Sequence, residues 1–392
     1  MKKADVVIVG GGPVGLWVAT QIKKRRPHLG VHVHERYQQY ERSHVLRLEH
    51  ASMQIYSKLK NDAAEKDFFR AVTGKTPREI FQTAAIGHVN IRTNDLEGAL
   101  TSYAKTLGVN IHYSTVTNPE EVEKMYPGCK TFIAADGAHS KMRTALLGEQ
   151  STKDFPLQYV VEVKYEAKGR AGELQPDDLF RTGKIMDSTP FEYVGREKNG
   201  KTPVTVRFFV DEDTYNALPQ ASFRAPLSLN DAEIPASLAQ DIKTYMNVRA
   251  EKAGETFLEG SDKMSKLTLS LYKAKTFAVE RGNGKAWYLA GDAAMGVPYF
   301  RSLNAGMLIG SQLAAIVTRG FLPTAGRVAA YNLMRPLDTA WEFTGAQIKN
   351  FGIQAYEMFK KMDAAAPMQI VKWNDAETRR FKNSKHTAFK PK

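Results

Sequence analysis

The segment "DVVIVGGGPVGLWVATQIKKRRPHLGVHVHE", Asp5 to Glu35, restricts the fold more than any other part of the chain. Val6 to Val9 form an apolar run of buried-strand type, and the glycines after it mark a turn. Val14 to Lys24 carry helix-forming residues, and "GVHVHE" alternates with period two. The order is strand, turn, helix, strand, a βαβ unit. Within the turn Gly10, Gly12 and Gly15 spell G-x-G-x-x-G. Glycine there lets the backbone turn sharply and approach a pyrophosphate, whose charge rests on the free N–H groups of the helix start. Twenty residues after Gly15, at the end of the second strand, Glu35 stands where a carboxylate accepts from a ribose hydroxyl. Gly10, Gly12, Pro13, Val14, Gly15, Glu35 and the adjoining Arg36 are the expected dinucleotide-binding set.

At 392 residues the chain is too long for one compact core. Its texture divides it into a dinucleotide-binding region over 1–154, a sheet-rich region over 155–277, a return to the first texture over 278–330, and helices with a basic tail over 331–392. A helix-rich stretch is expected from about Ala51 to Arg70. "HVNIRTNDLEGALTSYAKTLGVNIHYS" reads as strand, helix and strand, and "KTFIAADGAHSKMRTALLG" as a strand leading into a helix start. Segments such as "QYVVEVKYEAKG" and "TPVTVRFFVDEDT" alternate as strands do. The fold class is α/β, a Rossmann-like three-layer domain interleaved with a sheet-floored domain and followed by helices from about Leu303 to Met368.

Composition narrows the setting. The longest apolar runs, such as "MLIGSQLAAIV", are too short and interrupted to span a bilayer. The N-terminal apolar run enters glycines with no small-residue cleavage site, so no signal peptide is expected. Cys129 is the single cysteine, which excludes an internal disulfide and fits a reducing, cytoplasmic setting. The net charge is +13, and six Lys or Arg stand from Arg379 to the end without an acid. This tail is either a solvated segment or a site for an anionic or protein partner, with nucleic acid, membrane and acidic protein all open. His32 and His34 share one strand face, as metal ligands do, but lack an evident third ligand, so they are read as structural and no metal is expected.

Three further segments bear on which dinucleotide is held. "AADGAHSKMR" sets Asp136 beside Gly137 at a strand end, with Arg143 downstream; "YLAGDAAM" sets Gly291 beside Asp292 at another; "NIRTNDLEGAL" places Arg92 ahead of a helix. Taken alone, Asp136 and Asp292 fit helix or turn caps, and Arg47 and Arg92 fit surface ion pairs. Together with the glycine turn, the segments resemble the group A flavoprotein monooxygenases, the para-hydroxybenzoate hydroxylase fold. The resemblance covers most of the first 150 residues and about Lys266 to Pro336, including "YNLMRP". It implies FAD as cofactor, with Asp292 on the ribityl chain, Arg47 and Arg92 along the ribityl-pyrophosphate stretch, and Asp136 in a motif serving both FAD and NADPH.

The resemblance also implies a reaction. NADPH or NADH reduces the flavin transiently, and a flavin C4a-hydroperoxide delivers a hydroxyl to an electron-rich, aromatic small molecule. In "GDAAMGVPYFRSLNAG" the family's histidine is replaced by Met295, and "YFRS" replaces a longer glycine-containing turn. Pro298 is expected on the oxygen side. The helix-start amides of Leu303 and Asn304 are expected at the flavin's pyrimidine edge, and Arg301 either adds charge there or points to solvent. Pro298, Arg301 and Asn304 are the expected catalytic residues. Pocket walls are sought in "FRTGKIM", "VTVRFFV" and Tyr299-Phe300. "YERSHVLRLE" with "VNIRTNDLEGALTSYAKTLGVNIHYS", Glu41 to His112, is similar to the MICAL flavoenzyme domain, which implies oxidation of a protein substrate as an alternative. A flavin-fold protein that binds without turnover is the other.

Overall fold

Val6–Val9 (β1) is buried at every position, as a strand with neighbours on both sides requires. The computed structural model describes residues 3–38, 45–53, 63–82, 87–230, 233–297 and 301–365. β1 pairs in parallel with Val31–Glu35 (β2) on one side and Thr131–Ala134 (β6) on the other. Helix Pro13–Arg25 (α1) connects β1 to β2. Asn110–Tyr113 (β5) extends the sheet beyond β2, Lys285–Leu289 (β12) beyond β6, and Ala278–Arg281 (β11) closes it antiparallel to β12. The order is β11-β12-β6-β1-β2-β5. From β1 the chain moves outward to β2 and then returns to the opposite side at β6. That reversal opens a crevice at the carboxyl end of β1, the usual position of a ligand in an open parallel sheet.

A second sheet is antiparallel. Thr152–Lys168 (β7) runs between Lys201–Val210 (β9) and Lys263–Ala274 (β10), with Thr189–Val194 (β8) and Met295–Gly296 (β13) at its edges. Helices Pro176–Lys184 (α7), Glu212–Ala217 (α8) and Ala236–Ala253 (α9) interrupt the region read as sheet-rich from sequence. Leu238, Ile242 and Tyr245 of α9 join Val161, Val163, Val206 and Phe208 in a separate apolar core. Phe208, in the sequence sought as a pocket wall, is part of that core and meets the Tyr245 ring edge-on at 5.6 Å. Val45–Glu49 (β3) and His88–Arg92 (β4) form a two-stranded ribbon tied to this sheet: Val45 N donates to Thr205 Oγ1 at 3.0 Å, and Asn90 Nδ2 to the Val194 carbonyl at 3.1 Å.

Ala63–Thr73 (α2), Pro77–Gln82 (α3), Thr93–Thr106 (α4), Pro119–Met125 (α5) and Lys141–Leu147 (α6) complete the N-terminal part. Arg301–Val317 (α10) and Thr324–Ala365 (α11) follow the sheets. The expected helix-rich stretch from Ala51 to Arg70 contains one 3-10 turn, His50–Met53, and the first part of α2, with 54–62 outside the described residues. The chain packs as two compact units, Met1–Ala346 and Gln347–Lys392.

His32 and His34 meet a third histidine, His112 of β5, whose ring stacks on both at 5.1 Å. His34 Nδ1 bonds Ser114 Oγ at 2.8 Å and its Nε2 the Tyr126 hydroxyl at 2.9 Å, while His32 Nδ1 bonds His112 Nε2 at 2.9 Å. No group of three His, Cys, Asp or Glu among the described residues has the arrangement of a metal site. Burial, reinforced by the two neighbouring histidines, lowers the His34 pKa from 6.5 to about 4. The unfolded chain therefore binds this proton more readily than the native one, and stability falls as pH drops from 6.5 towards 4. Urea melts across that interval are expected to show this slope, and His34→Gln to flatten it.

Candidate cofactor site at the strand ends

Parallel strands end on the same side of their sheet, so residues far apart in sequence meet above β1, β2, β6 and β12. The glycine turn comes first. Gly10 has φ +104°, and a Cβ there would lie 2.2 Å from the Ala135 carbonyl oxygen. A Cβ on residue 15 would lie 2.0 Å from the Gly10 oxygen. Neither position admits a side chain. Gly12 is the extended residue capping α1, and Pro13 follows at the helix start, where no amide is needed. Val14 packs its side chain toward Gly291 and Gly306: Cβ atoms built on those glycines approach it to 3.1 and 2.8 Å.

Glu35 ends β2 beside this turn. Its Oε2 accepts from Gly11 N at 2.7 Å and its Oε1 from Tyr37 N at 3.0 Å, which holds the carboxylate at the rim of the crevice. Arg36 is exposed and lies over the Tyr37 ring at 4.6 Å. Glu97 of α4 is a residue the sequence reading missed. Burial and the charge of Glu35 push its carboxyl up to about 8, so it keeps its proton at neutral pH and one negative charge stands there rather than two.

Asp136 lies two residues past β6 and accepts from Ser140 Oγ at 2.5 Å and Met142 N at 3.1 Å, shaping the loop into α6. The buried Arg143 joins that loop to the one after β12. Its guanidinium donates to the Ala138 carbonyl at 2.9 Å and the Ala293 carbonyl at 3.1 Å. Tyr272 of β10 donates to the Asp292 carbonyl at 2.8 Å, and its phenol is raised above the usual range by burial and by the Asp292 charge. The loop of Gly291, with φ +58°, and Asp292 is thus held by an arginine of α6 and a tyrosine from the second sheet. Tyr272 carries no motif; its role arises from strand pairing, with Tyr272 opposite Gly296.

The start of α10 differs from expectation in two side chains. The Arg301 guanidinium faces Glu342, with Nε at 2.7 Å and Nη2 at 2.9 Å from its oxygens. It is therefore neither directed to solvent nor available as a lone charge, because a partly buried carboxylate of α11 holds it in fork geometry. The Asn304 side chain is likewise engaged: Oδ1 accepts from Glu49 N and Ser52 Oγ, both at 2.8 Å, and Nδ2 donates to the Arg47 carbonyl at 2.9 Å. Leu303 is buried beside it. Arg47 has an exposed side chain on β3, and Arg92 donates to Glu166 of β7 at 2.5 Å. Pro298, Tyr299 and Phe300 lie outside the described residues.

A cavity of about 770 Å³ opens between α2, α4, β4 and the β8–β9 turn. Arg92 is the one member of the expected set on its walls, with Asn90, Phe68 and Tyr103.

No protein-family description and no curated protein matches the chain. Solved structures do. 2-Methyl-3-hydroxypyridine-5-carboxylic acid oxygenase is 14% identical with a TM-score of 0.57, over 88% of this chain and 91% of its own. CtdE, solved in complex with FAD and a substrate, is 13% identical with a TM-score of 0.57, over 88% of each chain. The flavin-dependent brominase Bmp2 is 14% identical with a TM-score of 0.53, over 97% of this chain and 99% of its own. The protein has the fold these enzymes share, the α/β fold expected from sequence. None of the three bears on the MICAL resemblance.

Asn304→Ala would remove one acceptor and one donor that tie α10 to β3. Leaving the Glu49 amide and Arg47 carbonyl unmatched costs about 1–3 kcal/mol. The expected outcome is a lower urea midpoint by that amount with the secondary-structure spectrum retained.

Proposed function

We propose that the chain is an FAD-dependent monooxygenase that uses NADPH or NADH to hydroxylate an electron-rich, aromatic small molecule. The observation that carries this reading is the convergence of the glycine turn, Glu35, Asp136 and Asp292 at the carboxyl ends of four strands around one crevice. The fold shared with flavin enzymes supports it.

The residues present fit an FAD. The first turn of α1 has no acidic residue, and its leading amides have no carbonyl one turn back to bond, so they offer donors to a pyrophosphate. Gly10 and Gly15 keep that surface bare of side chains. Glu35 retains lone pairs for a ribose hydroxyl beyond its two backbone bonds. Asp292 stands on a loop braced by Arg143 and Tyr272, suited to hold a ribityl hydroxyl chain without moving. When bound, FAD supplies electron storage and oxygen chemistry that no side chain provides.

The protein's part is position and polarity. Amides at the start of α10, around Leu303 and Asn304, would face the pyrimidine edge and favour negative charge there. The Asn304 side chain acts as a positioning group, fixing the helix start against β3. Arg301 is assigned the same kind of role through Glu342. The neutral Glu97 avoids a second charge close to Glu35. One glycine turn of this type occurs in the sequence, so the nicotinamide reductant is assigned a transient visit rather than a domain of its own.

The purified protein is expected to show flavin absorbance and to release FAD on denaturation. Glu35→Ala should weaken FAD by about 1–3 kcal/mol, the value of a charge-assisted bond. Asp292→Ala should lower FAD occupancy. NADPH oxidation should rise on adding an aromatic ligand, with a hydroxylated product by mass spectrometry; a brominated product only when bromide is supplied would move the chemistry to halogenation. Uptake of NAD without FAD would overturn the reading.

A further inference from the structure

From Ala325 to Thr344 every exposed residue of α11 is uncharged. Leu333, Leu337 and Trp341, spaced by four, are 79%, 78% and 76% exposed. Of the charged residues of the same stretch, Arg335 and Glu342 are buried and Arg327 and Asp338 half-buried. Arg335 is fully buried and bonds Asp338 at 2.9 Å, and Glu342 is buried and holds Arg301. A helix facing water shows the reverse arrangement, with charges outside and apolar residues against the core. In the second compact unit the helix exposes Ile348, Phe351 and Met358. An apolar surface of this kind marks an interaction site.

We propose that the outward face of α11 from Ala325 to Thr344 lies on an anionic lipid bilayer. Charge selects this occupant over a second copy of the chain. The net charge is +13, and beyond the helix the sequence continues with Lys372 and six Lys or Arg from Arg379 to Lys392, against Asp375 and Glu377. An anionic surface attracts this charge, whereas a second copy brings another +13. An acidic protein would be matched by basic residues on the face itself, and from Ala325 to Thr344 no exposed residue is basic. Hydrocarbon needs no complementary shape or hydrogen bonds from Leu333 and Leu337, and Trp341 suits the boundary between acyl chains and headgroups. An apolar helix face together with a basic segment supplies the two signals that stable peripheral binding requires. No helix among the described residues is long and apolar enough to cross a membrane, so the contact is one of lying on the surface.

Co-sedimentation of the full chain with phosphatidylcholine vesicles, with and without phosphatidylserine, tests the assignment. Binding is expected to require phosphatidylserine and to weaken with salt. A Leu337→Glu/Trp341→Glu variant should lose about tenfold or more in vesicle affinity while keeping the wild-type melting temperature, since both side chains are exposed. An Arg379→Gln/Arg380→Gln/Lys382→Gln variant should lose the preference for phosphatidylserine. Failure of the wild type to bind at low salt, or equal binding by the double Glu variant, would overturn the proposal. So would a concentration-dependent dimer, abolished by the same two substitutions, in a protein that ignores vesicles; that result would assign the face to a second copy.

Discussion

The carbonyl oxygen of Gly10 occupies the space that a Cβ on residue 15 would need, and the Ala135 oxygen occupies that of residue 10. This double absence lets α1 begin directly over the ends of β1 and β6. The rest of the cofactor crevice is built on the resulting helix position. Val14 meets Gly291 and Gly306, and a Cβ on Gly310 would approach Val18 to 2.8 Å. Trp17 Nε1 donates to the Met307 carbonyl at 3.0 Å and Ser311 Oγ at 2.8 Å, so the buried indole leaves no donor unmatched. Two helices nearly 300 residues apart in sequence are joined by small residues and one indole, and the loop after β12 comes with them.

Around that frame, buried charges are matched so that the loops keep one arrangement. Arg143 spends its donors on carbonyls of two different strand-end loops. Arg301 and Glu342 form a two-point pair, and Glu97 is the carboxyl that gives way when a second negative charge would stand near Glu35. The antiparallel sheet has its own closed set. Arg249 reaches Glu192 at 3.0 Å and Glu255 through Nε at 3.0 Å, and Tyr165 and Tyr245 donate to the same carboxylates. Removing one member would leave its partners buried and uncompensated, so such sets hold geometry more than they add stability. The ribbon β3–β4 joins the two systems: it bonds β8 and β9 through Asn90 and Val45, and the start of α10 through Asn304.

Local elements of the first sheet were legible because their signals are local. The apolar run Val6–Val9, the glycine spacing and the alternation of "GVHVHE" each depend on neighbours in sequence, and β1, α1 and β2 stand where those signals place them. Helix α9 is also written in the sequence, with Leu238, Ile242 and Tyr245 at helical spacing and Gly254 just past its end, but the alternating segments on both sides mask that signal in the region's overall texture. The aromatics of "VTVRFFV" show the opposite limit. Period two places Phe208 on a face, but only the position of α9 makes that face the core.

The sequence by itself determined the class of fold, the strand-end positions of Glu35, Asp136 and Asp292, and the glycines that no other residue can replace, because backbone sterics and short periodicities act within a few residues. Tertiary structure alone decided what the side chains meet. Tyr272 braces the loop of Asp292, Arg301 is held by Glu342, Asn304 secures β3, burial and Glu35 raise the Glu97 carboxyl, and α11 buries Arg335 and Glu342 while it exposes Leu333 and Leu337. Each of these depends on the approach of groups between 20 and 257 residues apart, or on which side of a helix is covered. Hydrogen bonds and desolvation act over a few ångströms of space, and distance along the chain carries no record of them.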